Sequence, residues 1–230
     1  MSEVAPGSDP GRAVDGGDAD VRAFFGDAYP AVEAFHALLV DQGVVRGLIG
    51  PREVDRLWER HLLNSGAVAR FLPERGTVAD IGSGGGFPGI VLAAMRPDLG
   101  FSLVESMERR TTWLREVVER LGLTNVEVVR ARAEELPATF RVDAVTARAV
   151  APMDRLAGWT LPLLKVGGAL LAMKGDQAAE ELAAAKAVID AWGGGDREVL
   201  VARTIDGVAA TSVVRILRAT EATPRARRGR

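Results

Sequence analysis

Apolar positions recur at helical spacing over the first third of the chain. They fall at Phe24, Phe25, Val32, Phe35, Leu38 and Leu39, and are punctuated by Gly43, Gly47 and the pair Gly50-Pro51. Pro51 suits the first turn of a second helix, along which Val54, Leu57, Trp58, His61, Leu62 and Ser65 follow at helical steps. From Thr77 the period changes. Strand-like runs at 77–81, 100–105, 125–130, 141–147 and 168–173 alternate with helical runs at 87–96, 107–122, 153–165 and 176–191. Strands separated by helices predict a parallel sheet with right-handed crossovers. Two further runs, 197–204 and 211–218, flank Asp206-Gly207, a turn signal that predicts an antiparallel hairpin. The expected fold is α/β and Rossmann-like: a seven-stranded, mostly parallel sheet with helices on both faces. Residues 21–72 read as an N-terminal helical extension and 73–219 as the main domain. Residues 1–20, rich in Gly, Asp and Pro, read as a disordered tail, and 220–230 as a basic mobile tail.

Composition narrows the function classes. The chain has 230 residues, 47% hydrophobic and 26% charged, enough for one domain with a sizeable core plus an extension. It has no cysteine, which excludes disulfides, thiolate metal sites and a cysteine nucleophile; no metal is expected. No apolar run reaches the roughly 18 residues a membrane span requires, and the N-terminus lacks the pattern of a signal peptide, so a cytoplasmic location is expected. The net charge of −2 argues against coating nucleic acid by charge alone. Only Lys165, Lys174 and Lys186 are lysines among the 29 basic residues, a bias that with so much Ala and Gly reads first as GC-rich codon usage and second as arginine-mediated RNA contact.

The most informative segment is V-A-D-I-G-S-G-G-G-F-P-G, residues 78–89. Strand, glycine turn and helix in succession bring backbone close to a nucleotide-like ligand at the carboxyl end of the sheet. Gly82, Gly84 and Gly86 would allow that approach. Asp80 either fixes the loop or faces a cationic part of the ligand. Glu105 closes the second strand 23 residues after Gly82, where a carboxylate can accept from both ribose hydroxyls. The same glycines also satisfy G-x-G-x-x-G, so a nicotinamide dinucleotide is the competing ligand. Asp80 and the bulky Phe87-Pro88 favour S-adenosylmethionine instead, and with it a class I methyltransferase.

Other strand ends carry further candidates. After the third strand, Ala133 and Glu134 stand where an adenine ring would lie, although Glu134 also suits a helix N-terminus. The fourth strand ends in Thr146-Ala147-Arg148-Ala149, without the N/D-P-P-Y/F expected of an enzyme methylating an exocyclic amine. Arg148 is placed to pair with a ligand carboxylate or a substrate phosphate. Lys174 ends the fifth strand and faces a phosphate or sits at the rim. His36 lies on an apolar helical stripe and is expected in the core.

These segments together resemble the bacterial small-subunit (16S) rRNA guanine-N7 methyltransferase family, RsmG, once called glucose-inhibited division protein B. The likeness is carried by W-E-R-H-L-L-N-S (58–65), D-I-G-S-G-G-G-F-P-G (80–89), L-V-E-S (103–106), R-A-E-E (132–135), T-A-R-A-V-A-P (146–152) and A-M-K-G (172–175), over roughly 30–192. It implies S-adenosylmethionine as cofactor, with Gly82, Phe87, Ala133, Glu134 and Arg148 touching it. It also implies 16S rRNA or a small-subunit precursor as partner; a monomer is expected. The chain departs from the family pattern at Gly47–Gly50, at Asn64, where aspartate is frequent, and at Glu108, where basic residues are. Guanine N7 has a free lone pair and needs no deprotonation, so no general base is assigned. Arg60, His61, Arg148 and Lys174 are the candidates to hold RNA. The alternative is a methyltransferase acting on a small molecule or protein, which the acidic balance would suit.

Overall fold

A computed structural model describes residues 14–221. The basic residues Arg225, Arg227, Arg228 and Arg230, and residues 1–13, lie outside the described residues.

In chain order the elements are α1 (Ala19–Phe25), α2 (Tyr29–Gln42), α3 (Asn64–Gly66), β1 (Thr77–Ile81), α4 (Gly89–Met95), β2 (Gly100–Glu105), α5 (Glu108–Leu121), β3 (Val126–Arg130), β4 (Val142–Arg148), α6 (Met153–Thr160), β5 (Leu164–Lys174), α7 (Ala178–Ala184), α8 (Lys186–Ala191), β6 (Gly194–Ala202) and β7 (Thr211–Arg218). The seven strands form one sheet in the order β3-β2-β1-β4-β5-β7-β6. The first five are parallel, while β7 runs antiparallel to β5 and β6 to β7. The chain starts in mid-sheet at β1 and winds first to one side, then to the other. Ligands bind above such a reversal point, beyond the carboxyl ends of the strands.

Strand side chains alternate between two covered faces. Ala79, Ile81, Val145, Ala147, Leu170 and Ala172 join the core under α6, α7 and α8. Val78, Ala144, Leu171 and Met173 face the other way, toward α4 and the residues that follow α3. Both faces are therefore apolar, which is why these strands read as continuous hydrophobic runs.

The helical extension shares a core with the sheet domain. Val32, Phe35, Leu39, Leu57, Trp58 and Leu62 pack with Phe87, Ile90, Leu103, Trp113 and Leu114. Four expected elements differ. The chain is ordered before residue 21: α1 starts at Ala19, and the Tyr29 hydroxyl lies 2.9 Å from the Gly16 carbonyl oxygen. The expected second helix is instead a 3-10 turn at Pro51–Arg56, a π-helical turn at Trp58–Leu63, the short α3 and a further 3-10 turn. Burial explains it: Leu57, Trp58, Leu62 and Leu63 all enter the core, and their five-residue repeat needs the wider turn. The run at 153–165 ends early because Pro162 lacks the donor a helix needs, so β5 begins at Leu164 and Lys165–Gly168 form a bulge. The run at 176–191 divides at Ala185.

His36 is half-buried rather than in the core, stacked on Trp58 with centroids 4.8 Å apart. No helix among the described residues is long and apolar enough to cross a membrane. Among the same residues no group of three or more histidines or acids is placed to hold a metal ion.

Candidate functional site

The glycine loop after β1 has two sides with different tasks. Gly82 and Gly84 have φ of +70° and +55°, which side-chain-bearing residues rarely adopt. The Gly84 N–H donates to Glu105 Oε2 at 3.1 Å. Gly86 faces away from the strand ends: a Cβ there would lie 2.9 Å from Phe35 and from Ile90. Phe87 follows it into the same interface, 5.4 Å from the Phe35 ring and 5.0 Å from the His61 ring. The front helices are thus seated on the far side of the loop.

Asp80 belongs to that buried side as well. It has the parity of Val78, and its register partner Thr146 donates to Oδ1 at 2.9 Å. The Gly89 N–H, at the start of α4, donates to Oδ2 at 3.2 Å. The carboxyl is wholly buried, which pushes its pKa up to about 6 against the opposing pull of these hydrogen bonds. Asp80 therefore fixes the turn between β1 and α4, the first of the two roles expected for it, and is absent from the lining of the cavity where the cofactor contacts were expected.

On the open side, the ends of β1, β2 and β3 enclose a cavity of about 370 Å³. Gly82, Glu105, Ala133 and Glu134 all line it, together with Val150 and Trp159. Glu105 is 4% exposed. Its Oε1 accepts from the Met107 N–H at 2.8 Å, its Oε2 from Gly84, and Arg110 lies 3.7 Å away. The Ser106 hydroxyl adds a long bond to Oε1 at 3.4 Å, so of the about four acceptor positions of a carboxylate one is unengaged, and a ligand hydroxyl in place of Ser106 would take a second. Ala133 is buried and Glu134 exposed, at the start of a short 3-10 turn. Val150 closes the cavity over Gly82, where a Cβ would lie 2.9 Å from Val150 Cγ2.

Beyond β4 and β5 a second cavity of about 360 Å³ is lined by Arg60, Asn64, Arg148, Lys174, Glu181 and their neighbours. Arg148 stands between sheet and front helices. One guanidinium nitrogen is 2.6 Å from His61 Nδ1, another donates to the Arg60 carbonyl oxygen at 3.3 Å, and the group lies 4.7 Å over the Phe87 ring. Arginine only donates, so His61 Nδ1 accepts and its Nε2–H donates to Glu53 Oε2, 2.7 Å away. Burial, reinforced by the Arg148 charge, holds His61 below its ordinary pKa of 6.5. Burial draws Arg148 down to about 10, which leaves it cationic at neutral pH. Lys174 is not a rim charge: its ammonium donates to the Ala151 carbonyl oxygen and to Glu181, both at 2.7 Å. Arg60 is exposed and paired with Glu53.

A family model described as rRNA small subunit methyltransferase G (GidB) matches residues 28–204. The chain belongs to the rRNA small subunit methyltransferase G family. It is 54% identical to the ribosomal RNA small subunit methyltransferase G of Nocardioides sp. over 196 residues, 85% of this chain and 78% of that protein. With the protein of the same description from Thermobifida fusca it shares 55% identity over 165 residues, 72% of this chain and 70% of that one. The sheet and its helices also match the crystal structure of a SAM dependent methyltransferase from Aquifex aeolicus, with a TM-score of 0.53 at 16% identity. That match covers 77% of this chain and 98% of the other, and at such identity it speaks to the fold alone.

Four expected cofactor residues meet in one cavity: Gly82, Glu105, Ala133 and Glu134. Gly84 supports them through Glu105, whereas Gly86, Phe87, Asp80 and Arg148 lie outside the lining. Arg60, Arg148 and Lys174 line the second cavity, and His61 stands behind Arg148. Sequence reasoning missed Val150 and Trp159. Ala149, with φ of +53° in a residue that has a Cβ, turns the chain so that Val150 covers the loop, and no spacing in the sequence signals it. It missed Glu53 too, which reads as an ordinary helix-surface acid.

Proposed function

We propose that this chain transfers a methyl group from S-adenosylmethionine to N7 of a guanine in small-subunit (16S) ribosomal RNA. The observation that carries the reading is the convergence of Gly82, Glu105, Ala133 and Glu134 on one cavity above the reversal point of the sheet, in a member of the rRNA small subunit methyltransferase G family.

The donor set fits the cofactor. Glu105 can accept from one ribose hydroxyl, and from a second in place of Ser106, Ala133 can offer its backbone, and Glu134 can accept from an adenine amine. Gly82 leaves room where a side chain would meet Val150. When bound, S-adenosylmethionine supplies a methyl group already activated by its sulfonium. The protein's task is then alignment and exclusion of water. Trp159 and Val150 give the cavity its apolar walls, and the buried Asp80 holds the loop from behind.

Guanine N7 attacks with its own lone pair, so no side chain is needed as a base, and His61 is not assigned one. N7 lies on the major-groove edge, which side chains cannot reach in A-form RNA, so the target nucleotide must be unstacked or in a loop. Arg60 and Arg148, at the second cavity, are the cations that would hold it, with residues 21–72 as the RNA-facing extension.

The test is methyl transfer from labelled S-adenosylmethionine to small subunits prepared from cells that lack this activity, with purified chain. Label in the rRNA at a site opened by N7-specific cleavage is expected. Label only in protein or small molecules would overturn the reading.

A further inference from the structure

Lys174 and Glu181 both line the second cavity, yet their hydrogen bonds lead toward the first. The Lys174 ammonium donates to the Ala151 carbonyl oxygen and to Glu181 Oε2, both at 2.7 Å. The same Oε2 accepts from the Met153 N–H at 3.1 Å. Lys174 ends β5 and Glu181 stands on α7, so two elements reach the residues 149–152 that join β4 to α6. Among the described residues neither Val150 nor Ala151 makes a hydrogen bond to another backbone group. Side chains hold this segment instead: one takes a carbonyl, the other the first N–H of α6. The Lys174 side chain is 11% exposed, so its charge depends on these partners in place of water.

The clasped segment carries strain and passes between the two cavities. Ala149 has φ of +53°, which a residue with a Cβ rarely adopts and which persists where the surroundings impose it. Ala149 lines the second cavity and Val150 the first. Val150 lies over Gly82, where an added Cβ would meet Val150 Cγ2 at 2.9 Å. Ala151, the residue whose carbonyl Lys174 holds, is next in the chain, so a shift there moves the wall of the cofactor cavity.

We propose that Lys174 and Glu181 are positioning residues for the cofactor: as a pair they clasp the segment between β4 and α6, and through it they set Val150 over Gly82. The inference rests on the proposed function for the identity of the cofactor, and adds to it two residues that act through a third. It also gives Lys174 a task other than holding an RNA phosphate. Two of the three ammonium donors are taken by short bonds within the fold, and burial leaves the group little surface to offer.

The experiment uses the full chain and the variants Lys174→Met, Glu181→Gln, Val150→Ala and the double variant Lys174→Met/Val150→Ala. Calorimetry measures affinity for S-adenosylmethionine, hydrogen exchange of the ligand-free chain follows the Met153 amide, and thermal melting checks the fold. Binding of small-subunit rRNA is measured across a salt series. Lys174→Met should weaken cofactor binding about tenfold, within the range of couplings carried through packed neighbours, and speed exchange at Met153. Glu181→Gln, which keeps an acceptor, should do the same to a smaller extent, and it carries the test if Lys174→Met does not fold. In the Val150→Ala background the Lys174→Met loss should shrink to less than twofold, because the residue it acts through is gone. The salt dependence of rRNA binding should not change.

Unchanged cofactor affinity in Lys174→Met and Glu181→Gln would overturn the proposal, as would losses that multiply independently in the double variant. A weaker salt dependence of rRNA binding with cofactor affinity intact would make Lys174 a phosphate contact and overturn it too. A chain that binds S-adenosylmethionine but methylates no rRNA would overturn the proposed function while leaving the clasp to be judged on affinity and exchange.

Discussion

Arg148, at the end of β4, donates to Nδ1 of His61 across 2.6 Å, and this bond ties the sheet to the π-helical turn of the front end. Glu53 lies 2.7 Å from the other ring nitrogen, and Phe87 lies under both the ring and the guanidinium. The arrangement requires a neutral imidazole, because a proton on Nδ1 would face a cation.

A pH dependence follows from it. His61 has a folded pKa below its ordinary 6.5, lowered by burial and by Arg148, with Glu53 opposing and Arg60 assisting. The contribution of the neutral ring to stability is therefore complete above pH 6.5 and is lost as pH falls through the lower folded value. Methyl transfer and thermal stability should both decline on the acid side. His61→Ala should weaken the acid limb that this group imposes while lowering activity at pH 7.5. A pH–rate profile identical to that of the unaltered chain would exclude the role.

Asp80 gives the opposite slope. Its folded pKa of about 6 exceeds the ordinary 3.8, so the folded state binds the proton more tightly. That stabilisation is full below pH 3.8 and is lost as pH rises through 6, an effect of about 3 kcal/mol. Asp80→Asn should remove this component from denaturant-unfolding free energies measured between pH 4 and 7. A variant with the same slope would mean that the carboxyl titrates normally.

Glu105→Ala should weaken binding of S-adenosylmethionine by about 1.5–3 kcal/mol, the scale of hydrogen bonds to a charged group. It would also free the N–H groups of Gly84 and Met107. Isothermal calorimetry measures the change, and an unaltered affinity would place the ribose elsewhere.

Gly84→Val should also reduce cofactor affinity, but not by filling the site. A Cβ at residue 84 has its nearest neighbour at 3.7 Å, the Gly82 carbonyl oxygen. The cost comes from a β-branched residue forced to φ of +55°, about 1–3 kcal/mol, and from displacement of the backbone N–H that holds Glu105. Thermal unfolding should register the strain and calorimetry the affinity. A variant with unchanged melting and binding would show that the loop tolerates another backbone.

Much of the fold is legible because it rests on local periodicity. The β1 run alternates toward two apolar faces, and α5 closes at Gly122, whose φ of +64° suits a left-handed cap. Element ends were less legible where burial overrode local preference. The repeat of Leu57, Trp58, Leu62 and Leu63 gives way to a π turn only because a second surface, built from Phe87, Ile90 and Trp113, waits to receive it.

The sequence by itself determined the order of strands and helices, the glycine loop, and the acids at the ends of β1 and β2, because each follows from neighbours within a few residues. Tertiary structure alone decided which acid faces the cavity: Asp80 and Glu105 look alike in sequence, but sheet parity and register turn one toward Thr146 and α4 and leave the other at the open strand ends. It also decided that Glu53, His61 and Arg148 form one chain of hydrogen bonds, since residues 87 positions apart meet only when the front helices pack on the sheet.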